Sequence, residues 1–236
     1  MATNTLSPTG RARASRTTVF MKILMAVSGA FFVLYLLLHM YGNLKIFGGA
    51  GAFDEYAHHL RTMLTPILPY GGLLWIIRIL LIVALFVHVY SAFYLWSRAN
   101  GARTTRYVAK QAAKRTLKTK WMRWGGVAIL LFVIWHLLQF TIVKFNVGPD
   151  ATNGSPGMLV VSSFQVWWVT LIYLLAMIAL GLHLYHGVWS ASQTLGWANT
   201  ARSRAAWKAT AHIVAIVMAV GFIVPPLLIL VGILKG

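Results

Sequence analysis

Five long apolar runs, roughly Val19–Tyr41, Gly71–Leu95, Trp121–Val143, Val166–Trp189 and Ala209–Leu234, dominate this chain. Each approaches or exceeds the ~20 residues needed to cross a hydrocarbon core of ~30 Å. Backbone groups in that core find no water, so spans of this length must be helices. The expected fold class is therefore all-α, an integral membrane bundle of five transmembrane helices. Composition agrees: only 10% of the 236 residues are charged, where a soluble domain carries about a quarter. The first run is too long for a signal-peptide core and lacks a small-residue cleavage pattern, so it reads as a retained helix. Residues 1–18 read as a polar tail and 19–236 as one transmembrane domain.

The charge balance is extreme, with 21 Lys and Arg against three acidic residues. Position tells what that means. Arg11, Arg13, Arg16 and Lys22 lie at the start. Arg98, Arg103, Arg106, Lys110, Lys114, Arg115, Lys118, Lys120 and Arg123 fill the second connection, and Arg202, Arg204 and Lys208 the fourth. Five alternating helices put all three places on one side. The positive-inside rule then predicts a cytoplasmic N-terminus and an outside C-terminus. The basic face is either this topology signal alone or also a docking face for acidic soluble subunits or anionic lipid. No nucleic-acid fold remains to use the charge.

Between the spans, 42–70 is rich in Gly and Pro, with a short interfacial helix suggested by Phe53, Tyr56, Ala57 and Leu60 at helical spacing. The 97–120 connection reads as basic and partly helical, and 144–165 as loop from its Gly, Pro and Asn content. No sequence repeat is evident. Tryptophans cluster near span ends, as an aromatic belt does. Pro225-Pro226 is expected to kink or interrupt the fifth helix. The absence of cysteine excludes disulfides, thiolate metal sites, iron–sulfur ligation and thioether-bound haem in this chain.

Five of the eight histidines fall within spans: His39, His88, His136, His183 and His186. Ionisable groups at membrane depth are functional candidates by default. Helices one and three run outward, and His39 and His136 lie past their midpoints. Helices two and four run inward, and so do His88 and His183. At 1.5 Å per residue, His136 comes about 6 Å outside the midplane, His39 about 13 Å outside, and His88 and His183 about 8 Å inside. Two imidazole pairs at two depths, each pair from two helices, are an arrangement for axial ligation of two haem irons. Small residues lend support. Gly187 follows His183 by one turn, and Gly125 lies eleven residues before His136 on nearly the same face, while helix one offers Ser28 at best. The alternatives are core histidines bonded across helices and a bare metal site, which two imidazoles without carboxylate or thiolate serve poorly.

This pattern resembles the cytochrome b membrane anchor of succinate dehydrogenase and fumarate reductase, in its single-chain, five-helix, di-haem form. The segment "HLYHGVWSASQTLGW" (183–197) looks like that family's His-x-x-x-Gly motif, and "HMYGNLKIFGGAGAFDEYAHHLR" (39–61) looks like its actinobacterial branch. The resemblance covers nearly the whole chain. It implies a single di-haem domain over 19–236, with His39 and His136 on the outer haem b and His88 and His183 on the inner one. His186 is the rival to His183, which stands four before Gly187 as in the motif. It also implies an enzyme subunit, without the catalytic head, of a bacterial cell-membrane succinate:quinone oxidoreductase. FAD and iron–sulfur clusters would belong to partner flavoprotein and iron–sulfur subunits on the cytoplasmic side, and menaquinone would be the membrane substrate. Outer quinone candidates are Glu55, Tyr56, Arg61 and Gln139; inner ones are Tyr94, Trp189 and Gln193. Arg78 either snorkels to the headgroups or pairs with a haem propionate. The only acids, Asp54, Glu55 and Asp150, lie in outer loops, which departs from members with membrane carboxylates. The competing readings are a stand-alone di-haem oxidoreductase similar to the cytochrome b561 group, and a haem-free membrane transport or assembly protein.

Overall fold

The computed structural model describes residues 8–101, 110–142, 147–148 and 155–235, with side chains described from 17 in the first of these and from 121 in the second. Arg103, Arg106, Lys144 and Asp150 lie outside the described residues, as do the side chains of Arg11, Arg13, Arg16 and those from Lys110 to Lys120.

Five helices are long and apolar enough to cross a membrane, and no strand occurs among the described residues. The chain is a multi-pass, all-α membrane protein. Helix α1 (Pro8–Leu44) passes through one turn of 3-10 helix (Lys45–Gly48) into α2 (Gly49–Thr62). Then follow α3 (Gly72–Gly101), α4 (Lys110–Leu137) with a π-helical turn at Leu138–Ile142, α5 (Pro156–Phe164), α6 (Trp167–Thr194) and α7 (Ala201–Leu230). The turn into α2 is made at Gly49, whose φ of +88° is accessible to glycine and costly to other residues. α2 is the short helix expected between the first two spans.

Two expectations need correction. The 144–165 connection is not all loop, because α5 occupies its second half. Its start was readable: Ser155 is an N-cap accepting from the Met158 amide at 3.3 Å, and Pro156 is the first helical residue. Of the kink or interruption expected at Pro225-Pro226, the interruption does not occur. α7 continues through both, with their rings buried. Neighbouring helices make such prolines tolerable in a membrane. α7 also begins eight residues before its apolar run, on a reciprocal cap in which Thr200 Oγ1 accepts from the Ser203 amide at 3.0 Å and Ser203 Oγ from the Thr200 amide at 2.9 Å.

Helices α1, α3, α4 and α6 form a ring. α1 packs on α3 and α6, α4 packs on α6, and α7 lies outside against α6 and α1. Small residues permit the α6–α7 approach: a β-carbon on Gly181 would meet Ala219 at 3.3 Å. One buried cluster lies on that side, in Met177, Leu180, Leu184, Ala215 and Met218, and a second joins Ile46, Val161, Phe164, Val169, Tyr173 and Ile229. α3 and α4 make no comparable packing along their length. Near one end they meet where Arg123 donates to Asn100 at 3.1 Å and lies over Trp96. At the opposite end α2 and α5 cross, and Asp54 accepts from the Ser155 hydroxyl and from the Gly157 amide at 2.7 Å. The first is called here the basic end, for the Lys and Arg that gather there, and the second the α2 end.

Candidate functional site

Between the four helices lies a large, partly open and largely apolar cavity of ≈ 2460 Å³. Single drug-sized sites occupy about 300–1,000 Å³, so the space suits more than one large ligand. Six histidines line it; besides His59 on α2 and His186 on α6 there are four, one from each helix of the ring. They meet across the diagonals. The His39 ring on α1 lies 5.8 Å from that of His136 on α4, and the His88 ring on α3 lies 6.2 Å from that of His183 on α6. The unequal depths expected for His39 and His136 are thus not observed. α1 remains helical three residues past its apolar run, and the two rings stand at one level near the α2 end. The other pair stands nearer the basic end.

These separations allow a metal between each pair. An imidazole nitrogen binds a metal at about 2.0–2.1 Å, and the ring centre lies about 1 Å behind that nitrogen, so two ligands facing one ion have centres roughly 6 Å apart. The site is a pair and not a cage: no group of three or more His, Asp or Glu that could hold an ion occurs among the described residues.

The glycines beside the pairs are not those expected. A β-carbon on Gly29 would stand 3.4 Å from His88 Cε1, and one on Gly126 would stand 3.6 Å from His183 Cε1. Gly125 faces no neighbour, and Gly187 borders the cavity with open space before it. Gly125 shares the face of His136 on α4. The glycine that matters serves the other diagonal pair, so it need not share the face of the histidine on its own helix. Gly29 and Gly126 each stand ten residues before a site histidine, a correspondence between α1 and α4 that no local motif displays.

Hydrogen bonds set the ring orientations. His88 Nδ1 lies 3.1 Å from Ser28 Oγ, whose proton is directed to the Leu24 carbonyl at 2.7 Å. The hydroxyl therefore accepts from His88 Nδ1–H, leaving Nε2 with a lone pair. His136 Nδ1 lies 3.3 Å from the Tyr173 hydroxyl, which donates to Gln139 Oε1 at 2.9 Å, and the same reasoning applies. A ligand histidine with its second nitrogen donating is the usual arrangement in metal sites. His183 Nδ1 is buried without a hydrogen-bond partner. Around His136 stand Phe132, Phe140 and Tyr173, and Tyr35 stacks on His39 at 5.4 Å. Tyr173 escaped the sequence reading because a tyrosine in an apolar span carries no local signal of its partner 37 residues earlier.

The remaining candidates separate by place. His186 is exposed at the cavity border, away from the His88 ring. Glu55, Tyr56 and Arg61, all on α2, line the α2 end of the cavity, and Arg61 donates to the Ala57 carbonyl at 2.7 Å. Tyr56 packs on Gly42, where a β-carbon would stand 2.8 Å from its ring. Arg78 also borders the cavity, half-buried, with its guanidinium over Trp75 at 5.0 Å. Gln139 does not line the cavity; it is fully buried behind Tyr173. Tyr94, Trp189 and Gln193 lie at the basic end off the cavity wall. Tyr94 accepts from Arg98 at 3.3 Å, Trp189 lies under Lys208, and Gln193 is exposed.

Comparison of the chain with protein-family models, curated proteins and solved structures gives no match. The geometry of the site therefore carries the functional argument.

Proposed function

We propose that this chain is the cytochrome b membrane anchor of a succinate:quinone oxidoreductase, carrying electrons between an iron–sulfur partner subunit and menaquinone. It would lie in a bacterial cell membrane with its basic end in the cytoplasm. The observation that carries this reading is the crossing of two histidine pairs at two levels of one four-helix ring. A single polar histidine in a membrane core has many structural uses. Two diagonal pairs, with glycines beside one of them and a cavity around both, fit two flat macrocycles.

His39 with His136 and His88 with His183 would hold two haem b groups, which when bound supply one-electron chemistry at two depths. The chain's own residues do the rest. Ser28 and Tyr173 hold His88 and His136 in the tautomer that leaves Nε2 free. Gly29 and Gly126 keep side chains out of the basic-end level. Phe132, Phe140 and Phe222 pack around the α2-end pair and exclude water. Arg78, with its charge on the cavity border, suits a propionate. Glu55, Tyr56 and Arg61 form the polar mouth where a quinone headgroup would bind, with its apolar tail in the cavity or the lipid. The cysteine-free chain leaves flavin, clusters and dicarboxylate chemistry to partner subunits docked on the basic face.

The test is a reduced-minus-oxidised optical spectrum with a pyridine haemochrome assay on the purified chain. Two low-spin b haems per chain, removable by acid acetone, are expected. A haem ratio near zero overturns the proposal. Co-purification of a flavoprotein and an iron–sulfur protein from native membranes is expected too; their absence, with haem present, would favour a stand-alone oxidoreductase.

A further inference from the structure

Gln139 is a fully buried amide in a membrane helix, at the one place where α4 loosens from α-helix into a π turn. Such turns are rare and often mark functional sites. The amide does not reach the cavity. It reaches Tyr173, and Tyr173 reaches His136. With the amide oxygen turned to Tyr173 and Nε2 buried without a partner, the bonds run in one direction: the Tyr173 hydroxyl donates to Gln139 Oε1, so the Tyr173 oxygen is left to accept from His136 Nδ1–H. Each acceptor is made stronger by the donation it makes onward. Turning the amide over would reverse the chain. Nε2 would then donate to Tyr173, Tyr173 to His136 Nδ1, and the imidazole proton would move to Nε2, the atom a metal needs. The orientation of Gln139 and the ligand competence of His136 are thus one structural fact.

The other pair has no such relay. Ser28 accepts from His88 but donates to a main-chain carbonyl of its own helix, and His183 Nδ1 has no partner. We infer that Tyr173 and Gln139 are positioning residues that fix the His136 tautomer and raise the basicity of its ligating nitrogen. They thereby set the α2-end haem apart from the basic-end haem in redox potential. This rests on the haem ligation proposed above. A more basic axial imidazole favours oxidised iron, so the relay holds its haem at a lower potential than the same pair would have without it.

The test is a potentiometric titration of Tyr173→Phe, Gln139→Leu and Ser28→Ala in the full haem-loaded chain, with 15N NMR of His136 in the same variants prepared without haem. Tyr173→Phe should shift one of the two midpoints upward, changing the reduced-to-oxidised ratio at fixed potential by about tenfold, the lower end of what outer-shell partners contribute to metal sites. The other midpoint should stay in place. Gln139→Leu should move the same haem in the same direction by less, and Ser28→Ala should move only the other one. If Tyr173→Phe loses the haem, Gln139→Leu, which leaves the Tyr173 contact to His136 intact, decides the matter. Two haems with both midpoints unchanged in Gln139→Leu and Tyr173→Phe would overturn the inference. The NMR reads the relay without haem. Nδ1 protonation in the wild type, lost in Gln139→Leu, supports it even if the wild type binds no haem and the functional proposal fails. Nε2 protonation in the wild type sinks it.

Discussion

A β-carbon on Gly126 would stand 3.6 Å from the ring of His183, and one on Gly29 would stand 3.4 Å from the ring of His88. One methyl group therefore fits at each position in ordinary contact, and a branched side chain does not. Gly126→Ala should retain both haems. Gly126→Leu and Gly29→Leu should each remove the basic-end haem while the α2-end spectral component persists. Haem content per chain, read with the resolved spectrum, checks this; retention of both haems in the two leucine variants would contradict it.

The diagonal pairing predicts which losses go together. His39→Ala and His136→Ala should remove one and the same spectral component, and His88→Ala and His183→Ala the other. His186→Ala should keep both, because His186 is exposed at the cavity border and does not meet His88. A haem lost with His186→Ala but kept with His183→Ala would reassign the α6 ligand.

At the α2 end, stability depends on a contact between two short helices. Asp54 accepts from Ser155 and from the Gly157 amide, placing a negative charge at the start of α5, where the helix dipole favours it. Asp54→Ala leaves both donors without that acceptor and should cost about 1–3 kcal/mol. Gly157→Ala should cost more than an exposed Gly→Ala change, since its β-carbon would stand 2.5 Å from the Ala50 carbonyl oxygen, which belongs to backbone and cannot swing away. Thermal unfolding in detergent should show a lowered midpoint for both. An unchanged midpoint for Gly157→Ala would mean that α2 and α5 do not approach this closely.

The charge asymmetry predicts orientation. Reporter fusions should place the N-terminus in the cytoplasm and the C-terminus outside. Replacing Arg202, Arg204 and Lys208 together by Gln should weaken docking of the proposed soluble partner subunits, with the larger difference from the wild type at low salt, where the charges are least screened, while the haem spectrum stays the same. A C-terminal reporter active in the cytoplasm would invert the membrane assignment.

The five spans and the all-α class were legible in the sequence, because each follows from a local property, a run of apolar residues long enough to span; the division of the histidines into two levels followed from the rise per residue, though His39 was placed too far from His136. α2 was legible too, from its spacing. The start of α5 was equally local but was obscured by the glycines around it. What the sequence alone left open is lateral. Depth puts His39 near His136 and His88 near His183, but whether those helices stand diagonal or adjacent depends on how α1, α3, α4 and α6 close into a ring, and that is decided by packing between residues far apart in the chain. Gly126 and Tyr173 show the same limit. One is a space beside a side chain 57 residues later and the other a hydroxyl bonded to side chains 34 and 37 residues earlier. A helix has its own periodicity written into it; the rotation that decides which neighbour each face meets comes from the other helices.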